Sequence, residues 1–293
     1  MKRSNRLLGL VGLGCLCFSS SGIATETIGE AAEDTHKVFL RQSALLLEPG
    51  EISLDFSLSY ARNQRVLFGD NYLIDRRLGF STMLNVGVTE RLEAFIGVPF
   101  TWGQNTLRTD TTARQSTFGI GDITGGAKYL LHQETATIPD LIWSVGVRVP
   151  TGKHPYKGEV ATGSGHFAIT NQITAIKAVD PAVIFGGLSG TYHFANDFNG
   201  HTYQPGIELG YRVGVGLAFN DKLTLSSSVR SVYQSKREVD SALVAASARE
   251  PLNLDLGFTY IADKRLTLET SVGLGLNEDS TDTVVSFTVS KKF

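Results

Sequence analysis

Four glycines, an aspartate, a threonine and a lysine crowd into one short stretch, GIGDITGGAKYLL, from Gly119 to Leu131. These residue types cradle phosphate in nucleotide sites, where glycine lets the backbone approach the anion and lysine supplies the charge. The spacing does not follow that chemistry. A dinucleotide fingerprint needs G-x-G-x-x-G at a strand-to-helix turn, and Thr124 stands where the third glycine belongs. VPTGKHP, beginning at Val149, fails as a phosphate loop too. Gly146 lies one position too far from Gly152, and His154 replaces the Ser or Thr that should follow Lys153. His154, His166, His193 and His201 are the next candidates, as metal ligands, but no pair has the short spacing of a ligand set. Ser and His residues occur without a spacing that fixes a catalytic geometry. The expectation is a non-enzyme with no cofactor and no metal.

The elements carrying these residues explain the glycines better. In EISLDFSLSY, Ile52, Leu54, Phe56, Leu58 and Tyr60 alternate with Glu51, Ser53, Asp55, Ser57 and Ser59. Side chains of a strand point to opposite faces with period two, so this is a ribbon with one apolar and one polar face. The same alternation runs through GIELGYRVGVGLAF and LNLDLGFTY. About twelve such segments follow one another, near 51–62, 76–88, 92–102, 118–131, 141–150, 165–178, 182–194, 205–219, 223–234, 250–261, 265–276 and 283–293. The seventh, VIFGGLSGTYHF, separates its faces least. Tight turns such as TER, VDP, NDK and ADK alternate with longer polar connections at 63–75, 103–117, 151–164, 195–204, 235–249 and 277–282. Only 132–140 is long for its side. Short turns at one end and long loops at the other are the mark of an outer-membrane barrel. The predicted fold is all-β, an antiparallel up-and-down transmembrane β-barrel over 51–293.

The first residues predict export. Lys2, Arg3 and Arg6 precede a short apolar run, and SSSGIA supplies small residues for cleavage after Ala24. Residues 1–24 thus read as a signal peptide and 25–50 as an N-terminal periplasmic or plug segment. Both cysteines, Cys15 and Cys17, fall in the leader, so the exported chain carries no disulfide or thiolate site. The formal net charge is −2, more negative once the three basic leader residues are gone, which argues against a nucleic-acid partner. Beyond the leader no run of apolar residues is long enough for a spanning helix.

On the lipid face, Tyr60, Trp102, Phe167, Tyr192 and Tyr233 fall toward the long loops, and Tyr129, Trp143, Phe219, Tyr260 and Phe293 toward the short turns. Amphipathic rings favour the two membrane interfaces. The comb gives the lumen Asp55, Glu93, Asp122, Glu208, Asp255 and Glu269 against Arg77, Lys128, Arg148, Arg212, Arg230 and Arg265. Such balanced charges either brace the wall as ion pairs or form a weakly selective constriction. Ahead of the first strand, Leu40, Arg41, Leu45 and Leu47 are candidate plug residues, apolar enough to seek the lumen.

FGIGDITGGAKYLL, VRVPTGKHP and ATGSGHFAIT together resemble the outer-membrane barrel family labelled meta-pathway of phenol degradation. Its members carry a G-x-G-D strand, a P-T-G strand end and a T-G-x-G entry to the next strand. Here these are Gly119, Gly121 and Asp122; Pro150, Thr151 and Gly152; Thr162, Gly163 and Gly165. The resemblance implies a bacterial outer-membrane channel for small hydrophobic or aromatic compounds. Its partners would be outer-membrane lipid, a small solute, and the barrel assembly machinery reading the C-terminal Phe293. Functional-amyloid secretion channels have a similar barrel with a long N-terminal coiled coil that is missing here. A polypeptide secretion pore and a structural barrel without transport stand as the alternatives.

Overall fold

The computed structural model describes residues 46–293, apart from 67–70, 110, 158–159, 180–181 and 221. The predicted leader and the plug candidates Leu40, Arg41 and Leu45 lie outside the described residues. In chain order the strands are β1 (Ile52–Val66), β2 (Tyr72–Thr89), β3 (Leu92–Arg108), β4 (Thr112–Ile120), β5 (Ile123–His132), β6 (Asp140–Val149), β7 (Ala168–Val179) and β8 (Ala182–His193). There follow β9 (Asn196–Phe198), β10 (His201–Gln204), β11 (Glu208–Asn220), β12 (Leu223–Gln234), β13 (Glu238–Val239), β14 (Ala242–Leu243), β15 (Leu252–Asp263), β16 (Leu266–Gly275) and β17 (Thr283–Lys292).

Thirteen of these form one antiparallel sheet, and the pairing of β2 with β3 closes it on itself. β4 and β5 are two halves of a single stave. β3 pairs with β4 from Phe100↔Ile120 to Arg108↔Thr112, and with β5 from Leu92↔Tyr129 to Gly97↔Thr124. The barrel therefore has the twelve staves expected. Closure between first and last strand runs from Ser53↔Lys292 to Arg62↔Thr283, which brings Ile52 and Phe293 to the same end as the short turns. A separate small sheet, β14-β13-β10-β9, sits among the long loops at the opposite end.

Alternation decides which way each side chain points. Outward, Phe56, Leu58, Leu188, Leu209, Val213, Phe219, Leu256 and Phe258 are all exposed; inward, Ser53, Arg77, Asn85, Glu93, Lys128, Ser228 and Ser290 are buried. A closed ribbon that is apolar outside and polar inside buries its apolar area only against lipid, because no soluble environment covers the outer face. The aromatic rings placed at the two interfaces stand on that outer surface. Tyr60, Phe167, Tyr192 and Tyr233 are exposed near the loop end, and Tyr129, Trp143, Phe219, Tyr260 and Phe293 near the turn end. This is an outer-membrane barrel.

Three features depart from the sequence-based expectation. The connections at 63–75 and 103–117 are mostly strand, because β1–β4 climb beyond the apolar belt where both faces meet water and hydrophobic alternation stops. The stave expected at 118–131 breaks at Gly121 and Asp122. Arg265, expected in the lumen, is exposed in the turn between β15 and β16, where a register shift between Ile261 and Asp263 ends the alternation.

The two-faced wall yields a direct test. Leu256→Arg places a charge on the lipid face and should destabilise the barrel by about 2–4 kcal/mol if near the bilayer midplane. Asn253→Lys, on the lumen side of the same strand, should cost clearly less, because that face is polar and not exposed to lipid. Urea unfolding from lipid vesicles measures both, and equal losses would contradict the assignment of faces.

Candidate functional site

The break in the β4–β5 stave is the centre of the lumen's architecture. Gly121 still donates its N–H to the Pro99 carbonyl at 2.7 Å, so one edge of the ladder is intact. On the other edge the Thr151 hydroxyl takes the place of a neighbouring strand. It donates to the Gly121 carbonyl at 2.7 Å and accepts from the Ile123 N–H at 3.0 Å. Asp122, between them, turns its carboxylate to the segment joining β6 to β7. It accepts from the Gly152 N–H at 3.1 Å, the Ser164 N–H at 2.6 Å and the Ser164 hydroxyl at 2.6 Å. Hydrogen bonds to a charged acceptor are the stronger kind.

Pinned there, residues 151–157 and 160–166 fold inward. Lys153 and Thr162 close the loop on itself, Lys153 N–H donating to Thr162 Oγ1 at 2.9 Å and Thr162 N–H to the Lys153 carbonyl at 3.0 Å. Thr162 Oγ1 donates to the Ile120 carbonyl at 2.7 Å. Val160 and Ala161 are each 2% exposed, packed against the inner wall over Gly103, where any side chain would meet Val160. Gly121, Gly152 and Gly163 likewise leave room for backbone, since a Cβ on Gly152 would lie 2.7 Å from Gly163 Cα. The glycines that look like a phosphate cradle are the clearance for a loop.

The outer end of the loop is tied to the small sheet by rings. Tyr156 stacks on Phe198 at 4.6 Å and packs against Tyr203 at 4.2 Å. Tyr156 Oη lies 2.8 Å from His166 Nε2, and His166 Nδ1 lies 3.0 Å from the Phe194 carbonyl. The carbonyl can only accept, so Nδ1 carries the proton and Nε2 accepts from the tyrosine. Burial holds the His166 imidazole below its ordinary pKa, outweighing the backbone carbonyl that favours the charged form. His193 faces Glu208 at 3.1 Å and His201 faces Asp240 at 2.6 Å. Among the described residues, no three His, Cys, Asp or Glu side chains converge on a metal position.

The lumen charges sort by depth. A cavity of about 730 Å³ is lined by Asp55, Arg77, Asp122, Arg148, Glu208, Arg212, Arg230, Asp255 and Glu269. Most of them have partners. Arg230 Nε meets Asp255 at 2.6 Å, and Arg77 meets Asp75 at 3.3 Å. Asp55 accepts from Ser53 Oγ at 2.9 Å and Asn85 Nδ2 at 2.8 Å. Arg212 donates to Ser228 Oγ at 2.9 and 3.1 Å, with its guanidinium 5.3 Å from the centre of the Phe185 ring. Glu93 and Lys128 pair at 2.8 Å in a separate, nearly fully buried site. The other Glu93 oxygen accepts the Leu47 N–H at 3.1 Å, so the predicted plug residue Leu47 is held against the wall and is 3% exposed. Beside it, Leu46 packs with Leu130, Ile142, Ile176, Val183 and Ile261, an apolar cluster inside the turn end of the barrel.

Sequence reasoning missed Asp75, Ser164 and Leu46. Asp75 lay in a presumed loop, and the hydroxyl of Ser164 gains meaning only once Asp122 is seen beside it. The cavity wall is mixed. Leu73, Met83, Pro99, Leu107, Ala113 and Ala161 interleave with Asp55, Asp75, Arg77 and Arg148, and Arg212, Ser226, Arg230, Asp255, Glu269, Ser271, Ser286 and Thr288 also line it.

The family described as "MetA-pathway of phenol degradation" matches residues 48–293. Among solved structures, an outer membrane channel from Pseudomonas putida F1 superposes with a TM-score of 0.71 at 14% identity, covering 85% of this chain and 97% of that one. The translocator domain of the autotransporter NalP from Neisseria meningitidis gives 0.46 at 13% identity, covering 84% and 89%. The porin NanC gives 0.46 at 10%, covering 82% and 98%.

The loop joint can be probed with single methyl groups. A methyl on Gly163 would collide with the Asp122 carboxylate, whereas one on Gly119 would rest 3.7 Å from Thr162 Oγ1, an ordinary contact. Overpacking typically costs about 1–3 kcal/mol, so Gly163→Ala should speed trypsin cleavage after Lys153 by on the order of tenfold. Gly119→Ala should leave the rate near that of the native chain. Equal rates in the two variants would contradict the joint.

Proposed function

The chain belongs to the family described as MetA-pathway of phenol degradation, and from that premise we propose that it conducts small, weakly polar aromatic or hydrophobic molecules across the outer membrane by passive diffusion. The observation that carries this reading is the size of the cavity and its mixed apolar and polar wall. Its volume of about 730 Å³ falls in the range of roughly 300–1,000 Å³ that suits small molecules. A ring with one hydroxyl matches a wall that offers Met83, Pro99 and Leu107 together with serine hydroxyls and the Arg230–Asp255 pair. Near-balanced charge gives neither cations nor anions a strong field to follow. The size also favours a small solute over the alternative of an exported polypeptide. No step in this reading requires catalysis.

The lumen residues named above act in this proposal as the conduction path, and the turn end as its gate. Leu46 fills the apolar cluster between Leu130, Ile142, Ile176, Val183 and Ile261. A solute leaves only when Leu46 moves, and the N-terminal segment at 25–50 is assigned the role of plug. At the same end, exposed Phe293 donates its N–H to the Ile52 carbonyl at 2.9 Å, finishing the β17–β1 seam. We assign this final ring to recognition by the barrel assembly machinery.

Single-channel recording and vesicle uptake test the reading together. Leu46→Asp puts a charge into an apolar cluster, at a desolvation cost of several kcal/mol that the segment escapes by leaving the mouth. It should raise conductance and speed phenol entry relative to a disaccharide. A chain lacking residues 25–47 should do so more strongly. Unchanged conductance in both variants would refute the gate, and faster entry of the disaccharide than of phenol would refute the solute class.

A further inference from the structure

The outer face of β1–β4, just past the aromatic row, carries charge of one sign. Cross-strand register places Tyr60, Leu78, Trp102 and Phe118 side by side on the lipid face. The next outward row toward the loop end is Arg62, Arg76, Gln104 and Ser116. Beyond it come Gln64, Ile74, Thr106 and Arg114. Neither row contains an acidic residue; Asp75, the nearest on these strands, turns inward to Arg77, and Asp282, beside the edge of β1, accepts the Gln64 N–H at 2.8 Å. Arg62 and Arg76 are direct cross-strand partners, an arrangement of like charges that opposes pairing unless an anion lies between them. Arg62 gives one N–H to Gln64 Oε1 at 2.8 Å. Among the described residues, no carboxylate forms an ion pair with Arg62, Arg76 or Arg114.

We propose that this patch binds the phosphate groups of anionic lipids in the outer leaflet, with Arg62, Arg76 and Arg114 as its ligands. The depth is right. Aromatic rings mark the headgroup level, and two residues along a strand rise about 6.8 Å, which carries Arg62 and Arg76 from the ring row to the phosphate layer; Arg114 stands one row further out and reaches back with its long side chain. The chemistry is right as well. Guanidinium presents a planar fork that matches phosphate in bidentate fashion, and two forks facing each other across a strand pair can share one anion. Continuity with the lipid-facing belt selects a lipid over a soluble anion, because the acyl chains of the same molecule would cover Phe80, Phe100 and Phe118, exposed on the outer face. At the turn end, the exposed basic residues Arg91, Lys222, Lys264, Arg265 and Lys291 share the rim with Glu90 and Asp263. The proposal requires only that the barrel sit in a membrane and is independent of the solute it carries.

The test is titration of the full chain in zwitterionic detergent with bis-phosphorylated lipid A, read by native mass spectrometry. Each basic group near an anionic surface contributes roughly a fivefold factor, so Arg62→Gln, Arg76→Gln and Arg114→Gln together should weaken binding on the order of a hundredfold. The triple Lys variant should stay within roughly tenfold of the native chain, because the charge remains. Arg91→Gln with Lys222→Gln, the same type of change at the other rim, should bind like the native chain. Dephosphorylated lipid A should bind as weakly as the triple Gln variant, and inorganic phosphate should fail to compete. Heat-modified gel mobility confirms that each variant is a folded barrel. Native-like binding by the triple Gln variant, or equal competition by inorganic phosphate, would overturn the proposal.

Discussion

One carboxylate organises the inside of this barrel. Asp122 sits where a wall strand should have continued, and it gives up its place in the ladder to accept three hydrogen bonds from Gly152 and Ser164. A loop drawn into a lumen loses conformational freedom and much of its contact with water. The joint offsets this with charge-assisted bonds, each contributing about 1.5–3 kcal/mol when the acceptor is ionised. Thr151 repairs the backbone on the exposed edge, so the interrupted ladder leaves neither the Gly121 carbonyl nor the Ile123 N–H without a partner. With the loop fixed, Val160 packs over Gly103 and Ala161 becomes part of the cavity wall.

The second constraint is at the opposite end. Glu93 and Lys128 form an ion pair with side chains 4% and 11% exposed, and a buried pair repays its desolvation only when its remaining lone pairs are used. The Leu47 N–H supplies that bond. The chain entering β1 is thereby held across the barrel mouth, and Leu46 drops into the ring formed by Leu130, Ile142, Ile176, Val183 and Ile261. Gly87 accommodates the crossing. It exchanges backbone hydrogen bonds with Gly50 and Glu51 at 2.8 and 2.9 Å, and a Cβ there would strike the Glu48 carbonyl. The lumen thus holds a pinned loop toward one end and an apolar cluster toward the other.

Alternation in the sequence was enough to read the barrel, its twelve staves, the common end of its termini and the facing of residues such as Asp55, Lys128 and Arg212. Periodicity reports solvent contrast, and it fails where contrast fails. β8 reads weakly because Val183 is buried inside while Ile184 and Leu188 face lipid, so both faces are apolar. β1–β4 run past the membrane with Arg62, Gln64, Arg76 and Gln104 on the outside, polar where the comb expects apolar residues. Arg265 shows the remaining hazard, since one bulge removes every residue beyond it from a face count. The three glycine motifs were visible, but not that they touch. Gly121, Gly152 and Gly163 are far apart in the chain, and each looks like an isolated turn until Asp122 joins them.

The most direct test of this account is the accessibility of the loop it holds inside. Cys15 and Cys17 are the chain's two cysteines, and with both replaced by Ser, Ala161→Cys is the single reporter. Ala161 is 2% exposed, and the introduced thiol should react slowly with a water-soluble methanethiosulfonate reagent. Adding Asp122→Asn sets an amide donor against the donors that the carboxylate now accepts. Losing even one such charge-assisted bond should raise the labelling rate by at least roughly tenfold. Equal rates with and without Asp122 would show that something else holds the loop, and the account of the lumen built on that carboxylate would be wrong.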